Sequence, residues 1–429
     1  MAGLHTQVGY VDSDMISENE RTVKYHLNRV HTALELIMRR PQPTNVPLFC
    51  VHEPTTGCNL RCPACPTGAG ITNVKESAAL EDYELVCEEF GQYLDTYYLF
   101  SWGEATASKH LPDILKRLNK EPFYVHMSSN FSIPLKDELL DIFATMPRLS
   151  LQIDVDGMTQ EIHEKSRVRS KLSIVMENAQ RLSERIKVSA TPPFNVFFGF
   201  LDFGYNSGEL ELVKAAAADL GFKFQSLGRP LSAGRPPEED EITMQGALGC
   251  TWLYSSIAPT PGLTRVAPCC GVWDEKMMSP RAEGQSLHDL FMNDNLYQTR
   301  RTGDAAFATL SKGERIDHMR ENIAREDGMG LLQAKLDGDI CQRCSMGSSY
   351  QAKFPRIWTG AIQSLARLKG IDLPAAEAQL NTVINKIGRT QRYDQQYVDR
   401  LTSALRLPPA KDRNRDSYQG FIDLILELK

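Results

Sequence analysis

The chain has 429 residues, 42% of them hydrophobic and 24% charged, with a formal net charge of −6. That length and apolar share are enough for a large buried core and read as a globular protein of two or three units. No apolar run reaches the roughly 18 residues of a membrane span, and residues 1–20 lack the basic-then-apolar pattern of a signal peptide. The cytoplasm, where thiols stay reduced, is therefore the expected compartment and no membrane partner is expected. The acidic balance and the lack of aromatic residues interleaved with basic ones give no positive case for nucleic acid.

The first predicted element is a helix over 19–39, with Val23, Leu27, Val30, Leu34 and Ile37 at helical spacing, ended by Pro41 and Pro43. Apolar runs then predict strands over 47–51, 97–100, 123–127, 149–153, 194–200 and 222–227. Helical patterns over 78–94, 111–118, 135–144, 174–186 and 208–220 fall between them. Strands alternating with helices imply right-handed crossovers and a parallel sheet, an α/β fold. Beyond 227 the texture changes: Pro230, Gly234, Pro236, Pro237 and an acidic run mark a linker over 228–240.

Ten cysteines punctuate this plan, at 50, 58, 62, 65, 87, 250, 269, 270, 341 and 344. Cys58, Cys62 and Cys65 stand in the run Gly57-Cys58-Asn59-Leu60-Arg61-Cys62-Pro63-Ala64-Cys65-Pro66, just after the first strand. Their C-x3-C-x2-C spacing offers three thiolates from one short loop, which suits an iron-sulfur cube whose fourth iron is left for a small molecule. A structural zinc site wants four closed ligands, and this loop has no adjacent His or fourth Cys. A disulfide with a spare thiol is the other rival.

The cysteine run resembles the cluster loop of the radical S-adenosylmethionine (radical SAM) superfamily. The resemblance implies a partial (β/α)6 TIM-like barrel and an open [4Fe-4S] cluster held by Cys58, Cys62 and Cys65. Its open iron would chelate S-adenosylmethionine, which the reduced cluster cleaves to a 5'-deoxyadenosyl radical. A reducing partner such as flavodoxin or ferredoxin is implied with it. The family usually has an aromatic residue before the third cysteine where this chain has Ala64, so some adenine contact is expected from elsewhere.

Other strand ends carry further parts of the resemblance. Trp102-Gly103-Glu104 is similar to the Gly-Gly-Glu-type motif that receives the ammonium of S-adenosylmethionine, and a carboxylate suits a cationic amine. A plain strand-end turn is the alternative reading. Ser128-Ser129-Asn130 is similar to a ribose-touching run, although turn chemistry explains it nearly as well. Asp154-Val155-Asp156-Gly157, followed by His163 and Arg167, resembles the family's Ser-x-Asp-Gly run, with Asp154 where Ser is frequent. Arg167 would then hold the cofactor's carboxylate as a planar fork, or else pair within the protein.

The second cysteine region, Cys250, Cys269-Cys270 and Cys341-x2-Cys344, makes a four-ligand site that suits zinc or an iron-sulfur cluster. With Ser286-Leu287-His288-Asp289-Leu290-Phe291 and Arg300-Arg301 it looks like the SPASM or shorter Twitch extension of radical SAM proteins. That resemblance implies one auxiliary [4Fe-4S] cluster on Cys250, Cys269, Cys341 and Cys344. Cys270 is left as a buried thiol, an alternative ligand or a hydrogen donor. The charged stretch over 315–336 reads as a helical insert.

From residue 350 on, three apolar helical faces are predicted: Trp358, Ile362 and Leu365; Leu380, Val383, Ile384 and Ile387; and Phe421, Leu424, Ile425 and Leu428. Asp372 before Pro374 marks a helix start. This tail carries 13 Lys and Arg against 8 Asp and Glu, which leaves the body acidic; it is read as a solvated face, with docking of an anionic partner as the alternative. The expected domains are an arm over 1–45, the barrel over 46–228, the cluster domain over 241–349 and the helical extension over 350–429.

The expected function is a radical SAM oxidoreductase that removes hydrogen from a small polar substrate, such as a sugar, aminocyclitol or nucleoside, and passes an electron to the auxiliary cluster. The alternatives are a maturase acting on a peptide or protein side chain, a radical epimerase, and a zinc-bearing scaffold without catalysis. The arm over 1–45 is shorter than the leader-binding winged helix of many peptide-modifying members, which lowers the maturase reading without removing it.

Overall fold

Six parallel strands lie side by side in the order in which they occur along the chain. They are β1 (Phe49–Val51), β2 (Thr96–Tyr98), β3 (Tyr124–Ser129), β4 (Leu149–Asp154), β5 (Asn195–Phe200) and β6 (Lys223–Ser226). The computed structural model describes residues 21–38, 40–71, 75–227, 250–272, 275–307 and 353–389. The linker over 228–240, the insert over 315–336, Cys341, Cys344 and the face from Phe421 to Leu428 lie outside those residues.

Each pair of strands is joined through helix: α2 (Leu80–Phe90), α3 (Leu111–Leu118), α4 (Asp137–Thr145), α5 (Gln160–Ser166) with α6 (Leu172–Val188), and α7 (Leu210–Asp219). A strand order of β6-β5-β4-β3-β2-β1 is what repeated crossovers of one hand produce. The sheet does not close. On the far side of β1 it continues through β7 (Ser256–Pro259), parallel to β1, and then the antiparallel β8 (Arg265–Ala267) and β9 (Ser279–Pro280). This is the expected α/β partial barrel.

The pleat sends alternate residues to two cores. Cys50, Tyr97, Val125, Met127, Leu151, Ile153 and Phe198 face the crossover helices. Phe49, Val51 and Tyr98 face the other way, against Trp252, Leu253 and Tyr254. β1 and β5, covered on both faces, read as nearly continuous apolar runs, whereas β4 alternates apolar with polar residues; both patterns are visible in the sequence.

Helix α1 (Val23–Met38) is more deeply placed than its amphipathic pattern suggests. Leu27, Val30, Ala33 and Leu34 pack into the second core with Ile357, Ala361 and Leu365 of α11 (Lys353–Lys369). The polar residues on its other faces are buried too, and each finds a partner. Asn28 donates to the Val46 carbonyl and accepts from the Val46 amide, both at 2.9 Å. The buried Glu35 carboxylate accepts from the Thr44 amide at 2.9 Å and pairs with Arg40, which with His31 holds its pKa down at about 2. His26 meets Ser364 at 3.1 Å, across 338 residues of sequence.

Several short elements were not predicted: α5, the β7 to β9 strands, α8 (Trp252–Ser255), α9 (Leu287–Asn293) and the start of α10 (Asn295–Phe307). They are too short for a period to emerge. Arg301, in α10, is wholly buried; its Nε donates to the Leu253 carbonyl at 2.9 Å and its guanidinium lies 4.6 Å from the Phe291 ring centre. It fastens α10 onto α8, while burial lowers its pKa to about 10. The expected start at Asp372 is observed: its carboxylate accepts from the Ala375 amide at 2.8 Å in the first turn of α12 (Leu373–Arg389). Leu380 is buried, as expected of its face. No helix among the described residues is long and apolar enough to cross a membrane.

Leu34→Ala is expected to lower stability to urea by about 2–5 kcal/mol, the range for truncating a buried leucine. An arm lying loosely on the surface would lose well under 1 kcal/mol, so equilibrium unfolding distinguishes the two.

Candidate functional site

The loops that follow β1 to β5 meet at the carboxyl edge of the sheet, where parallel α/β sheets bring reactive groups together. Cys58, Cys62 and Cys65 lie on the first of these loops, each partly buried and none in a disulfide. The loop is tied to the segment after α5 and closed on itself. Arg61 donates its amide to the Val168 carbonyl at 3.0 Å, and Cys65 donates its amide to the Cys62 carbonyl at 3.2 Å. Gly68 is needed behind it, because a Cβ there would stand 2.3 Å from the Cys62 carbonyl oxygen.

Burial pushes the Cys58 thiol up to about 12 and raises that of Cys62, the latter opposed by the nearby Arg167 charge. The protein alone therefore keeps these sulfurs protonated, and a metal must displace the protons. Among the described residues no three Cys, His, Asp or Glu side chains already converge as a metal-holding group. Three free thiols on one short loop still fit a cluster with one open iron by the chemistry of the donor set.

The Trp102-Gly103-Glu104 turn after β2 is stitched to the segment before Cys58. One oxygen of Glu53 accepts the amides of Trp102 at 2.8 Å and Gly103 at 2.7 Å, and Glu104 donates its amide to the Gly57 carbonyl at 2.9 Å. The approach is so close that a Cβ on Gly103 would lie 1.8 Å from the Thr55 carbonyl oxygen. The Glu104 carboxylate, 3% exposed, is taken up by protein donors: the Thr106 amide and hydroxyl, the Ser129 hydroxyl at 2.7 Å and the Asn130 amide at 2.8 Å. Asn130 in turn donates to the Asn59 side chain at 2.9 Å and lies 3.9 Å from the Cys58 sulfur.

On the β4 side, Arg167 is held by two carboxylates, through NH1 to Asp154 at 3.2 Å and through Nε to Asp156 at 2.7 Å. Asp154 also accepts from Ser128 at 3.3 Å and from Gln152 at 2.7 Å. Ser128, Asp154 and Arg167 are thus brought together, with Arg167 close enough to influence Cys62. His163 is buried beneath them, with the Asp156 amide at 3.3 Å from Nδ1 and the Ser170 hydroxyl at 2.9 Å from Nε2. Burial and the Arg167 charge lower its pKa to about 4.

Two groups escaped the sequence reading. Glu53 looks like an ordinary charge at a strand end, yet it is buried, and desolvation with the nearby Glu76 lifts its carboxyl to about 7 against the pull of the two amides. Phe203 and Tyr205, in the loop after β5, have rings 5.7 Å apart and nearly parallel, and Tyr205 is felt by Asp156, Arg167 and Cys62. The signal available for Glu53 was its place two residues past an apolar strand and five before a cysteine.

Beyond β1, α8 and the β7–β8 hairpin carry Cys250 and Cys269-Cys270 to the same end, where all three pack against the second core. The Gly271 amide lies 3.3 Å from the Cys269 sulfur. His288 points its Nε2 to the Asn45 carbonyl at 3.2 Å, and Ser286 caps α9.

Residues 52–214 match the model of the Radical SAM superfamily, a family whose cofactors are a [4Fe-4S] cluster and S-adenosylmethionine. The sporulation killing factor maturation protein SkfB of Bacillus subtilis is 25% identical over 195 residues, 45% of this chain and 45% of that protein. The chain therefore covers less than half the length of that relative. The fold is also similar to Streptococcus suis SuiB bound to S-adenosylmethionine (TM-score 0.47, 12% identity, 60% of this chain and 68% of that one). A further likeness is to anSMEcpe with bound AdoMet (TM-score 0.46, 14% identity, 74% of this chain and 100% of that one).

Glu104→Ala is expected to cost about 2–4 kcal/mol in urea unfolding, since several buried donors lose their acceptor; a cost under 0.5 kcal/mol would mean that water replaces it. The His163 ring is expected to charge with a midpoint near 4 in NMR titration of the folded protein. Its folded-state pKa lies below the ordinary 6.5, so the unfolded chain takes up the proton first and this residue's contribution to stability is lost as pH falls from 6.5 towards 4.

Proposed function

We propose that the radical SAM domain over 52–214 makes this chain an enzyme that removes a hydrogen atom from an unactivated substrate carbon. The observation that carries the reading is the loop of three free thiols at the carboxyl edge of the sheet, inside the matched region. When bound, the cluster and S-adenosylmethionine supply a 5'-deoxyadenosyl radical. Cys58, Cys62 and Cys65 are assigned as ligands of the cluster. Trp102, Gly103, Glu104, Ser128, Asp154 and Arg167 are assigned to position S-adenosylmethionine.

The protein's own residues bind, orient and exclude water, as expected where a cofactor carries the difficult chemistry. Arg167 is fixed beside the loop by Asp154 and Asp156, so a carboxylate ligand would share its guanidinium with those two aspartates. Asn130 and the Glu104 carboxylate hold the loops in register with one another.

An auxiliary [4Fe-4S] cluster is assigned to Cys250, Cys269, Cys341 and Cys344. The placement of Cys250 and Cys269 at one end of the β7–β8 hairpin supports it, and the other two ligands lie outside the described residues. Held by those cysteines, such a cluster would supply an electron acceptor of the kind a two-electron oxidation needs, with flavodoxin or ferredoxin as the reductant class. Cys270 is the candidate hydrogen donor if the reaction is an epimerisation.

For the substrate, the name of the Bacillus relative, a maturation protein, supports a peptide side chain. The second reading is a small polar molecule. It is supported by the polar residues that β4 and β6 place on the sheet face opposite the crossover helices: Ser150, Gln152 and Asp154, with Gln225 in register beyond Gly199.

Anaerobic purification is expected to give about eight irons and eight sulfides per chain, for two cubes. Stoichiometric zinc without iron would remove the enzyme reading, and about four irons would remove the auxiliary cluster. Cys58→Ala is expected to abolish formation of 5'-deoxyadenosine under reducing conditions. A variant that still cleaves S-adenosylmethionine would show that the loop is wrongly assigned.

A further inference from the structure

Three consecutive amides in the turn after β2 are spent on the segment between β1 and the first cysteine. Those of Trp102 and Gly103 go to Glu53, and that of Glu104 goes to the Gly57 carbonyl. In a planar trans peptide the carbonyl points opposite to the amide hydrogen. The carbonyls of Ser101, Trp102 and Gly103 are therefore turned to the side away from the β1 segment, as a short row of negative dipole ends. Among the described backbone hydrogen bonds, none is accepted by the carbonyls of Ser101 or Gly103.

A row of carbonyls suits an ammonium group, which brings three donors and no acceptor. The carboxylate nearest in sequence, Glu104, has both oxygens engaged by Thr106, Ser129 and Asn130. Glu53 bonds through one oxygen, to the far side of the same peptides whose carbonyls make the row. A carboxylate on the amide side of a peptide strengthens the carbonyl on its other side, because chains of hydrogen bonds polarise one another.

We propose that Glu53 is a positioning residue for the amino group of S-adenosylmethionine, acting through the Trp102 and Gly103 peptides rather than by touching the cofactor. The inference rests on the functional reading above. Glu53 fixes the two peptide planes and sets its charge behind them, so that an arriving ammonium meets oriented and polarised carbonyls. Among the described residues that charge meets no cationic partner: Glu76 acts on it from the segment before α2, Tyr83 from α2, and the turn gives it two amides. An ammonium on the other side of the turn would favour the ionised form.

The test measures binding of two probes to the reconstituted protein by equilibrium dialysis, with iron content determined alongside. S-adenosylmethionine carries the amino acid moiety; 5'-methylthioadenosine has the same nucleoside without it. Glu53→Ala is expected to weaken S-adenosylmethionine about 3- to 10-fold, less than loss of a direct charge-assisted hydrogen bond because Glu53 acts through the two peptides, while 5'-methylthioadenosine changes by less than about twofold. Glu53→Gln keeps an acceptor and the shape but not the charge, and is expected to fall between Glu53→Ala and the unaltered protein.

Equal weakening of both probes in the Gln variant, or unchanged binding of S-adenosylmethionine in both variants, would overturn the proposal. Loss of iron in Glu53→Gln would overturn it as well, since the residue would then serve the cysteine loop. If the unaltered protein with a full iron complement binds no S-adenosylmethionine, the functional reading itself fails, and that outcome is distinct from a failure confined to Glu53.

Discussion

The buried Glu104 carboxylate is the knot that the edge of the sheet depends on. Its oxygens take donors from its own turn and from the end of β3, and its backbone amide reaches the segment before the cysteines. Asn130, oriented by that carboxylate, extends the tie to Asn59. Three loops that begin on three strands are thereby joined around one charge with almost no exposure to water. A carboxylate is so buried only when it is well supplied with donors, and here the donors are the loops that must be aligned.

Much of this was legible in the chain. The strands emerged because β1 and β5 are nearly continuous apolar runs and β4 alternates apolar with polar residues, and the crossover helices because each has one face on the core and one in water. The cysteine loop was legible because three thiols within eight residues carry chemistry in their spacing alone. Helix α1 shows where such reading stops. Its apolar stripe was visible, yet Val23 is exposed while Asn28, His31 and Glu35 are buried, since their partners lie in the 40–46 segment and no helical period encodes them. Glu53 was missed for a related reason: its acceptor role depends on a turn some 50 residues away.

The electrostatics of the edge are arranged around sulfur. Burial opposes ionisation at Cys58 and Cys62, and the positive charge that acts against it at Cys62 is Arg167, itself offset by Asp154 and Asp156. The pair of aspartates is not redundant. Asp156 orients Arg167 and Ser166 and also receives the Leu201 amide, so it couples the helix after β4 to the loop after β5. Asp154 connects the same arginine to Ser128 at the end of β3. The cation thus sits in a lattice spanning three strands.

Helix α1 and strand β7 also govern the order in which this molecule can assemble. The strand that carries the cysteine loop gains its second neighbour only with residues 256–259, and His26 meets Ser364 only after 338 further residues. Contacts so distant in sequence are slow to form, because a long loop must be closed before they repay it. On a ribosome the first five crossover units can begin to pack as they emerge, but β1 stays an uncovered edge while more than 200 residues are still to be added. The cysteine loop is therefore synthesised well before the strand that carries it gains its second neighbour.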